Sequence, residues 1–333
     1  MINLERKLRT EKNIQESGYL DYSKIQVLKN KNFFVVDIPL DGDAPKEYIK
    51  AYFYNTSRKA KKTRWSEYFA KYGHKSYPNE SVIEYIINQI GEELGFKMNE
   101  TELVLVNGQI RFLSKNFLRK NEKLIHGIEV LAEYFQDREF VKDIDKDRKH
   151  RREYITFELI IEAIEEVYPK NADSIISSFI ELLVFDAIVG NNDRHHYNWG
   201  LIGDIEKKNK LIRFAPIYDT ARGLLWNKTD RDIKKMFLQL NDKMQIKAYL
   251  KKSKPRVSYN TNPEANHFEL IEYICELNND YKEIVMKYIN KKKEEKIISY
   301  FRKNFQKLFI LERSELIIKI LRLRFQTLRK EIL

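Results

Sequence analysis

The stretch that most constrains this chain runs from Val184 to Ile202. Val184-Phe185-Asp186-Ala187-Ile188-Val189 is almost wholly apolar and ends at Gly190. Asn191-Asn192-Asp193-Arg194-His195-His196-Tyr197-Asn198 is then polar, before Trp199-Gly200-Leu201-Ile202 turns apolar again. A buried helix stopped by glycine, a tight loop and a strand satisfy that pattern. The next apolar frame, Ala215-Pro216-Ile217-Tyr218-Asp219-Thr220, closes on a second acid. Taken singly, Asn191-Asn192-Asp193 is turn chemistry. Taken together, Asp193, Asn198 and Asp219 supply one carboxylate to receive a proton and two hard oxygen donors for a divalent cation. That is the minimal equipment for phosphoryl transfer, in which the protein positions groups and offsets charge.

The remaining sequence can house such a site. The chain has 333 residues, 43% hydrophobic and 13% aromatic, enough for two lobes with a substantial core. In the front part, Lys24–Leu28, Asn32–Ile38 and Tyr48–Tyr54 read as strands, which short turns would link into an antiparallel sheet. Asp41-Gly42-Asp43-Ala44-Pro45 is a turn by composition. The region from Asn55 to Pro78 is polar and basic and shows no clear period. From Glu80, Val82, Ile83, Ile86, Ile87, Ile90 and Leu94 recur at helical spacing, and Gly95 ends the helix. Asn107-Gly108 between two apolar runs predicts a hairpin. Behind Ser114 the pattern becomes helical. Segments from Ile125, from Tyr154 to Val167, from Asp173 to Gly190 and from Ser314 to Leu333 carry helical periods, with breaks near Pro255 and Pro263. Leu211–Phe214 is expected to pair with the strand after Trp199. The fold class expected is α+β, with residues 1–115 as a sheet lobe and 116–333 as a mostly helical lobe.

Charge and cysteine use exclude some classes. Cys275 is the one cysteine, so neither an intramolecular disulfide nor a cysteine zinc cluster can form. The adjacent His195 and His196 have no third ligand spaced nearby, which argues against zinc; His195 reads instead as orienting the loop. Arg194 reads equally as a phosphate ligand or as a structural clamp. The formal charge of +12 admits a nucleic-acid or acidic partner. The basic residues, however, are interspersed with acids, and no stacking pattern of aromatics accompanies them, so direct nucleic-acid binding is not expected. No run of about 18 apolar residues occurs, so no membrane span is expected. The first residues lack the apolar segment of a secretory signal. A cytoplasmic location is the expectation, with secretion as an effector the alternative.

The block Gly190-Asn191-Asn192-Asp193-Arg194-His195 with Asn198, followed by Ala215-Pro216-Ile217-Tyr218-Asp219, resembles the HipA-type serine/threonine kinases. The resemblance extends over roughly residues 25–270 and is strongest from 184 to 220. It implies a two-lobed protein-kinase-like fold, ATP and Mg2+ as cofactors, and a protein substrate with a serine or threonine acceptor. It also implies roles: Asp193 as catalytic acid/base beside His195, and Asn198 and Asp219 as metal ligands. An ATP-binding lysine on a front-lobe strand is then expected, and Lys50, alone in an apolar strand, is the candidate, with an exposed edge lysine as the alternative. Its partner on the helix is Glu84 or Glu80; counting back from Gly95 favours Glu84. Arg111–Phe117 resembles the hinge that holds adenine, with Phe112 and Ser114 as the candidate contacts. Glu122–Ile128, with His126-Gly127, resembles compact members that lack an extra N-terminal domain. A small DNA-binding antitoxin is the partner such proteins imply. The chain departs from the pattern in having no glycine-rich loop, and none of Thr56, Ser57, Thr63 and Ser66 stands out as an autophosphorylation site. Two other readings remain: a phosphoinositide or small-molecule kinase, since fold does not fix substrate, and a non-catalytic nucleic-acid-binding protein.

Overall fold

The computed structural model describes residues 8, 10, 17–40, 46–53, 61–73, 75–147, 151–205, 212–238 and 243–332. The turn at 41–45, with Thr56 and Ser57, lies outside them. The front of the chain builds a six-stranded sheet from β1 (Gln26–Val27), β2 (Phe33–Val36), β3 (Lys46–Ala51), β4 (Ser66–Lys71), β5 (Thr101–Val106) and β6 (Gln109–Lys115). Its order is β1-β5-β6-β4-β3-β2. β1 does not join β2 as a meander would; it pairs in parallel with β5, while the other pairs are antiparallel. β4 is a strand in the region whose sequence showed no period. Its flanks are basic and polar, but Tyr68 and Ala70 point to one face and are buried, which is the alternation of a half-buried strand.

The two faces of this sheet do different jobs. Ile49, Ala51, Tyr68, Ala70, Leu113, Val104 and Val106 gather with Leu8, Phe33 and Val35 into a core on one face. On the other face directly opposed pairs align Lys46 with Lys71, Tyr48 with Phe69 and Lys50 with Glu67, and next to them Phe112 and Ser114 of β6. Helix α1 (Glu80–Leu94) lies on that side, its Val82, Ile83, Ile86, Ile87 and Ile90 fully buried. Gly95 ends it in the left-handed region at φ 89°, and its N–H returns to the carbonyls of Gly91 and Glu92.

After β6 comes β7 (Glu122–His126), then α2 (Gly127–Phe135), α3 (Arg138–Lys146), α4 (Arg151–Tyr154), α5 (Phe157–Val167) and α6 (Ala172–Val189). A second, antiparallel sheet joins β7 to β8 (Gly200–Asp204) and β9 (Arg213–Phe214). Six more helices follow: α7 (Asp230–Leu238), α8 (Lys243–Lys252), α9 (His267–Leu277), α10 (Asn279–Ile289), α11 (Lys291–Asn304) and α12 (Leu311–Ile332). α6 is the axle of this half. Residues 182–189 are all buried, because β9, α5, α9, α10 and α12 surround the helix.

The sheet lobe is bolted to the helical half through α1. α11 packs along α1, Lys293 Nζ donates to the Leu94 carbonyl at 2.5 Å, and Lys296 pairs with Glu93 at 2.9 Å. Phe96, just past Gly95, stacks on Tyr288 with centroids 4.0 Å apart and meets Phe185 of α6 at 5.1 Å. Beyond it the backbone of Lys97 to Asn99 runs beside Ile217: Ile217 N–H donates to the Lys97 carbonyl (2.8 Å), and Asn99 N–H to the Ile217 carbonyl (2.9 Å). This fixes the segment just before Asp219 to the base of the sheet lobe. Truncating Phe185 to alanine in this junction is expected to cost about 3–5 kcal/mol of unfolding free energy. Leu311→Ala, at a side chain 61% exposed, is expected to stay within about 0.5 kcal/mol of wild type; urea denaturation of both measures the contrast.

Candidate active site

The site is assembled from the loop between α6 and β8 and the segment after β9. Gly190 ends α6 with φ 70°, and a Cβ there would come within 2.9 Å of the buried Arg324 guanidinium. Glycine is thus required both by the backbone and by the space. Beyond it, Asn191 donates to Asp186 Oδ1 (2.9 Å), and its own Oδ1 accepts the Asp193 N–H (3.3 Å). Asn198 Nδ2 donates to the Asp193 carbonyl (2.8 Å), which closes the loop on itself. That bond takes the amide nitrogen, so Oδ1 is the end left for a cation. His195 Nδ1 accepts the Tyr197 N–H (3.3 Å), and desolvation lowers its pKa, so a neutral ring shapes the loop.

Arg194 is a structural clamp. It is fully buried and faces inward, donating to both Asp186 oxygens (2.8 and 3.1 Å), to the Asn198 carbonyl (2.5 Å) and to the Tyr218 carbonyl (2.6 Å). One planar fork therefore ties the helix, the end of the loop and the residue before Asp219. Desolvation opposes its charge, but Asp186 more than offsets this and raises its pKa.

Asp219 sits at φ 57°, a left-handed conformation uncommon outside glycine and asparagine or aspartate turns. This backbone sends its carboxylate toward the sheet lobe, where Oδ1 lies 2.8 Å from Lys71 Nζ. Lys71 also reaches Glu84 Oε1 at 3.0 Å. The structure thus brings β4, α1 and the segment after β9 together on one ammonium. Lys50 is not that lysine. It is on the same face of the sheet but four residue pairs along the ladder, bound to Glu67 at 2.7 Å in a cluster where Glu67 also accepts from the Tyr48 hydroxyl (2.7 Å). Glu80 remains one turn before Glu84 in α1. Phe112 flanks the cluster, its ring centroid 5.7 Å from Lys71 Nζ. The Ser114 hydroxyl is engaged from behind by Asn99 Nδ2 at 2.8 Å. At the hinge, Asn116 N–H donates to the Glu67 carbonyl (2.8 Å), and the Phe117 ring lies 5.8 Å from that of Tyr218.

The signal for Lys71 was present but weak. Trp65 to Tyr72 is rich in aromatic residues, alternates, and precedes the glutamate-bearing helix; the neighbouring basic run Lys61-Lys62-Thr63-Arg64 masked it. Lys50 occupied the cleaner apolar strand, but an apolar context records only burial. The partner that distinguishes the two lysines comes from residue 219.

The charges divide the site into two halves. Lys71 stands between two carboxylates, so that half carries excess negative charge. Burial works against Asp219, yet the Lys71 ammonium outweighs it and holds the acid down at about 2. Glu84 is only 3% exposed, and desolvation pushes it up to about 7 even though Lys71 pulls it down. The ammonium itself is held protonated well above its usual range; its desolvation is overcome by Asp219 and Glu84. In the other half, Asp193 lies between two arginines. Arg222 Nε is 3.2 Å from Oδ2 and Arg256 Nη2 is 3.2 Å from Oδ1, so that half carries excess positive charge. Among the described residues, the Asp219 carboxylate and the Asn198 amide oxygen are the hard donors that could hold a divalent cation, and the arginine pair beside Asp193 could hold an anion.

A sheet lobe with one crossing helix, a helical lobe, and a Lys–Glu–Asp cluster where they meet define a kinase-like fold. The chain belongs to the HipA-like C-terminal domain family, which matches over residues 38–297. Serine/threonine-protein kinase CtkA of Helicobacter pylori (strain J99) is 24% identical over 174 residues, 52% of this chain and 49% of that protein. The chain thus aligns with about half the length of this curated relative. The crystal structure of the H. pylori proinflammatory kinase CtkA superposes with a TM-score of 0.64 at 18% identity, covering 86% of this chain and 94% of that one. HipA of Shewanella oneidensis MR-1, solved with HipB and its operator DNA, gives 0.50 at 12% identity, covering 80% and 60%. At these identities the structural likenesses establish the fold. Among the described residues no helix is long and apolar enough to cross a membrane.

Two measurements follow from the buried charges. Arg194→Met leaves Asp186 uncompensated and is expected to cost about 3–5 kcal/mol in urea denaturation. Adding Asp186→Leu should recover part of that loss. Glu84 keeps its proton longer when folded than at its ordinary 4.5, so its contribution to stability falls as pH rises from there to about 7. Melting temperatures across that window should decline less in Glu84→Gln than in wild type.

Proposed function

We propose that the chain is an ATP- and Mg2+-dependent serine/threonine protein kinase, with residues 1–115 as nucleotide-binding lobe and 116–333 as catalytic lobe. The observation that carries this reading is the convergence of Lys71, Glu84 and Asp219 beside a loop in which Asp193 and Asn198 are locked together. Magnesium ATP supplies the electrophilic phosphorus and the cation that neutralises its charge. Asn198 and Asp219 would hold that cation, and Lys71 would hold phosphate oxygens. With Asp219 so engaged, Glu84 would still keep the Lys71 ammonium in place, a use for a second carboxylate on one lysine. Phe112 and the hinge from Ser114 to Phe117 border the space for adenine. Asp193 accepts the proton of the acceptor hydroxyl, and His195 and Arg194 position its loop.

Support for a protein acceptor comes from the family and from the relative named as a serine/threonine-protein kinase. We extend the proposal to a cytoplasmic toxin or effector role with a small DNA-binding partner; the likeness to the HipA solved with HipB and DNA is its support. Incubation of the purified chain with γ-labelled ATP, Mg2+ and a cell lysate is expected to label the chain itself or a lysate protein on serine or threonine. Asp193→Asn should lower this about 100-fold or more, and Lys71→Ala comparably. Lys50→Ala should retain transfer within a few-fold. Wild-type activity equal to that of Asp193→Asn would refute the assignment, and labelling of lipid vesicles without protein would redirect it to a lipid acceptor.

A further inference from the structure

Among the described residues, Arg222 and Arg256 pair with the loop acid, and the proposed mechanism gives them no task. Each reaches a different oxygen of the Asp193 carboxylate, at 3.2 Å in both cases. Their backbones are pinned. The Arg222 carbonyl accepts the Asn192 N–H (3.3 Å), and two residues on the Leu224 N–H donates to the Val189 carbonyl (3.2 Å) at the end of α6. Arg256 is carried between buried Pro255 and Val257, and three residues earlier the Ser253 hydroxyl donates to the Gly190 carbonyl (2.9 Å). The heads, in contrast, are 45% and 44% exposed and can turn. Arg222 also has a platform: its guanidinium carbon lies 5.1 Å from the centroid of Trp226, whose ring packs edge-on to Tyr77.

This arrangement has a consequence for the acid. With both oxygens engaged by guanidiniums, Asp193 has its best lone pairs occupied and cannot take a proton from a hydroxyl along them. The two arginines have to leave the carboxylate for the base to work. What draws them away must be an anion with at least two oxygens, close enough to Asp193 for the same pinned backbones to serve both positions. The terminal phosphate of a nucleotide, delivered beside Asp193 and Asp219, has that chemistry.

We propose that Arg222 and Arg256 are a two-position clamp. In the free protein they hold Asp193, and on nucleotide binding they pass to the terminal phosphoryl oxygens and free the acid. This rests on the kinase reading above and deepens it. In the transfer step the acceptor oxygen bonds to the terminal phosphorus, and the bond from that phosphorus to the bridging oxygen of the β-phosphate breaks. The hydroxyl proton goes to Asp193, and ADP leaves with the bond's electron pair. The arginines offset charge on the transferring group throughout and exchange no proton. They take the part that a glycine-rich loop would otherwise play.

Calorimetric titration of the full chain with Mg-ADP and with the magnesium complex of a non-hydrolysable ATP analogue tests the clamp. Arg222→Gln and Arg256→Gln are each expected to weaken the ATP analogue about tenfold while changing ADP less than about twofold, since the lost charge-assisted bonds reach only the terminal phosphate. Arg222→Lys and Arg256→Lys, which keep charge and stem, should lose part of the same preference. They carry the test if a glutamine variant does not fold. Equal weakening of both nucleotides would mean that the arginines only brace the loop, and the clamp would be wrong. Unchanged binding of both, with slower phosphorylation of acidic peptides alone, would give the anion to the acceptor and also overturn it. Wild type binding neither nucleotide would remove the kinase reading and the clamp with it. Binding of both nucleotides by wild type, with no labelling of any acceptor, would spare the clamp and leave the acceptor assignment at fault.

Discussion

The buried pairing of Arg194 with Asp186 is the constraint on which the rest of the site depends. An ion pair with no solvent contact is costly to form, and it persists only where the remaining donors are used. Here they are used by the Asn198 and Tyr218 carbonyls. These carbonyls end the 191–198 loop and precede Asp219. Satisfying one arginine therefore sets the spacing between Asp193, Asn198 and Asp219. Gly190 and Asn191 are consequences of the same requirement: the chain must reverse at the helix end without disturbing Arg324, and the remaining capacity of Asp186 must be filled. A loop tied in this way holds its polar groups in one arrangement without help from a ligand, which is the preorganisation the proposed phosphoryl transfer requires.

Around that frame the electrostatics are sorted by sign. Negative charge is concentrated where Lys71 meets Glu84 and Asp219, and positive charge where Arg222 and Arg256 meet Asp193. The more exposed carboxylate, Asp219, takes the ionised form firmly, and the buried Glu84 bears the desolvation, so the two acids on one lysine are not equivalent. The connection of lobes matters for the same reason. Lys71 and Glu84 belong to the sheet lobe and Asp219 to the helical half. The junction through Phe96, the α1–α11 contact and the strand-like pairing beside Ile217 help keep the ammonium within reach of Asp219.

Much of this was legible from residue order because the signals were local. The helix from Glu80 to Gly95, the hairpin at Asn107-Gly108, and the helix–loop–strand carrying Asp193 and Asn198 each follow from a period and a terminator a few residues apart. The preference for Glu84 over Glu80 rests on the family resemblance counted back from Gly95, and Glu84 is the one found 3.0 Å from Lys71. The remaining features are non-local. β1 was expected beside β2, yet it joins β5, a pairing that a two-residue strand cannot announce. β4 was hidden because half its side chains face a polar cleft and its flank is basic, so apolar content underreported it. Lys50 stands out in the sequence for the same reason, since an apolar context reports burial and not partners.

Residue order by itself determined which chemical groups are available and how the loop that carries them is bounded. Glycine at 190, aspartate at 193 and 219, and asparagine at 198 are spaced by short-range rules that operate within a few residues. Tertiary structure alone decided which lysine meets the acids, that Arg194 is spent inward as a clamp, and that Arg222 and Arg256 converge on Asp193. Ion pairs of that kind join residues up to 148 positions apart, as between Lys71 and Asp219. Their energy comes from desolvated geometry in three dimensions, which no local period encodes.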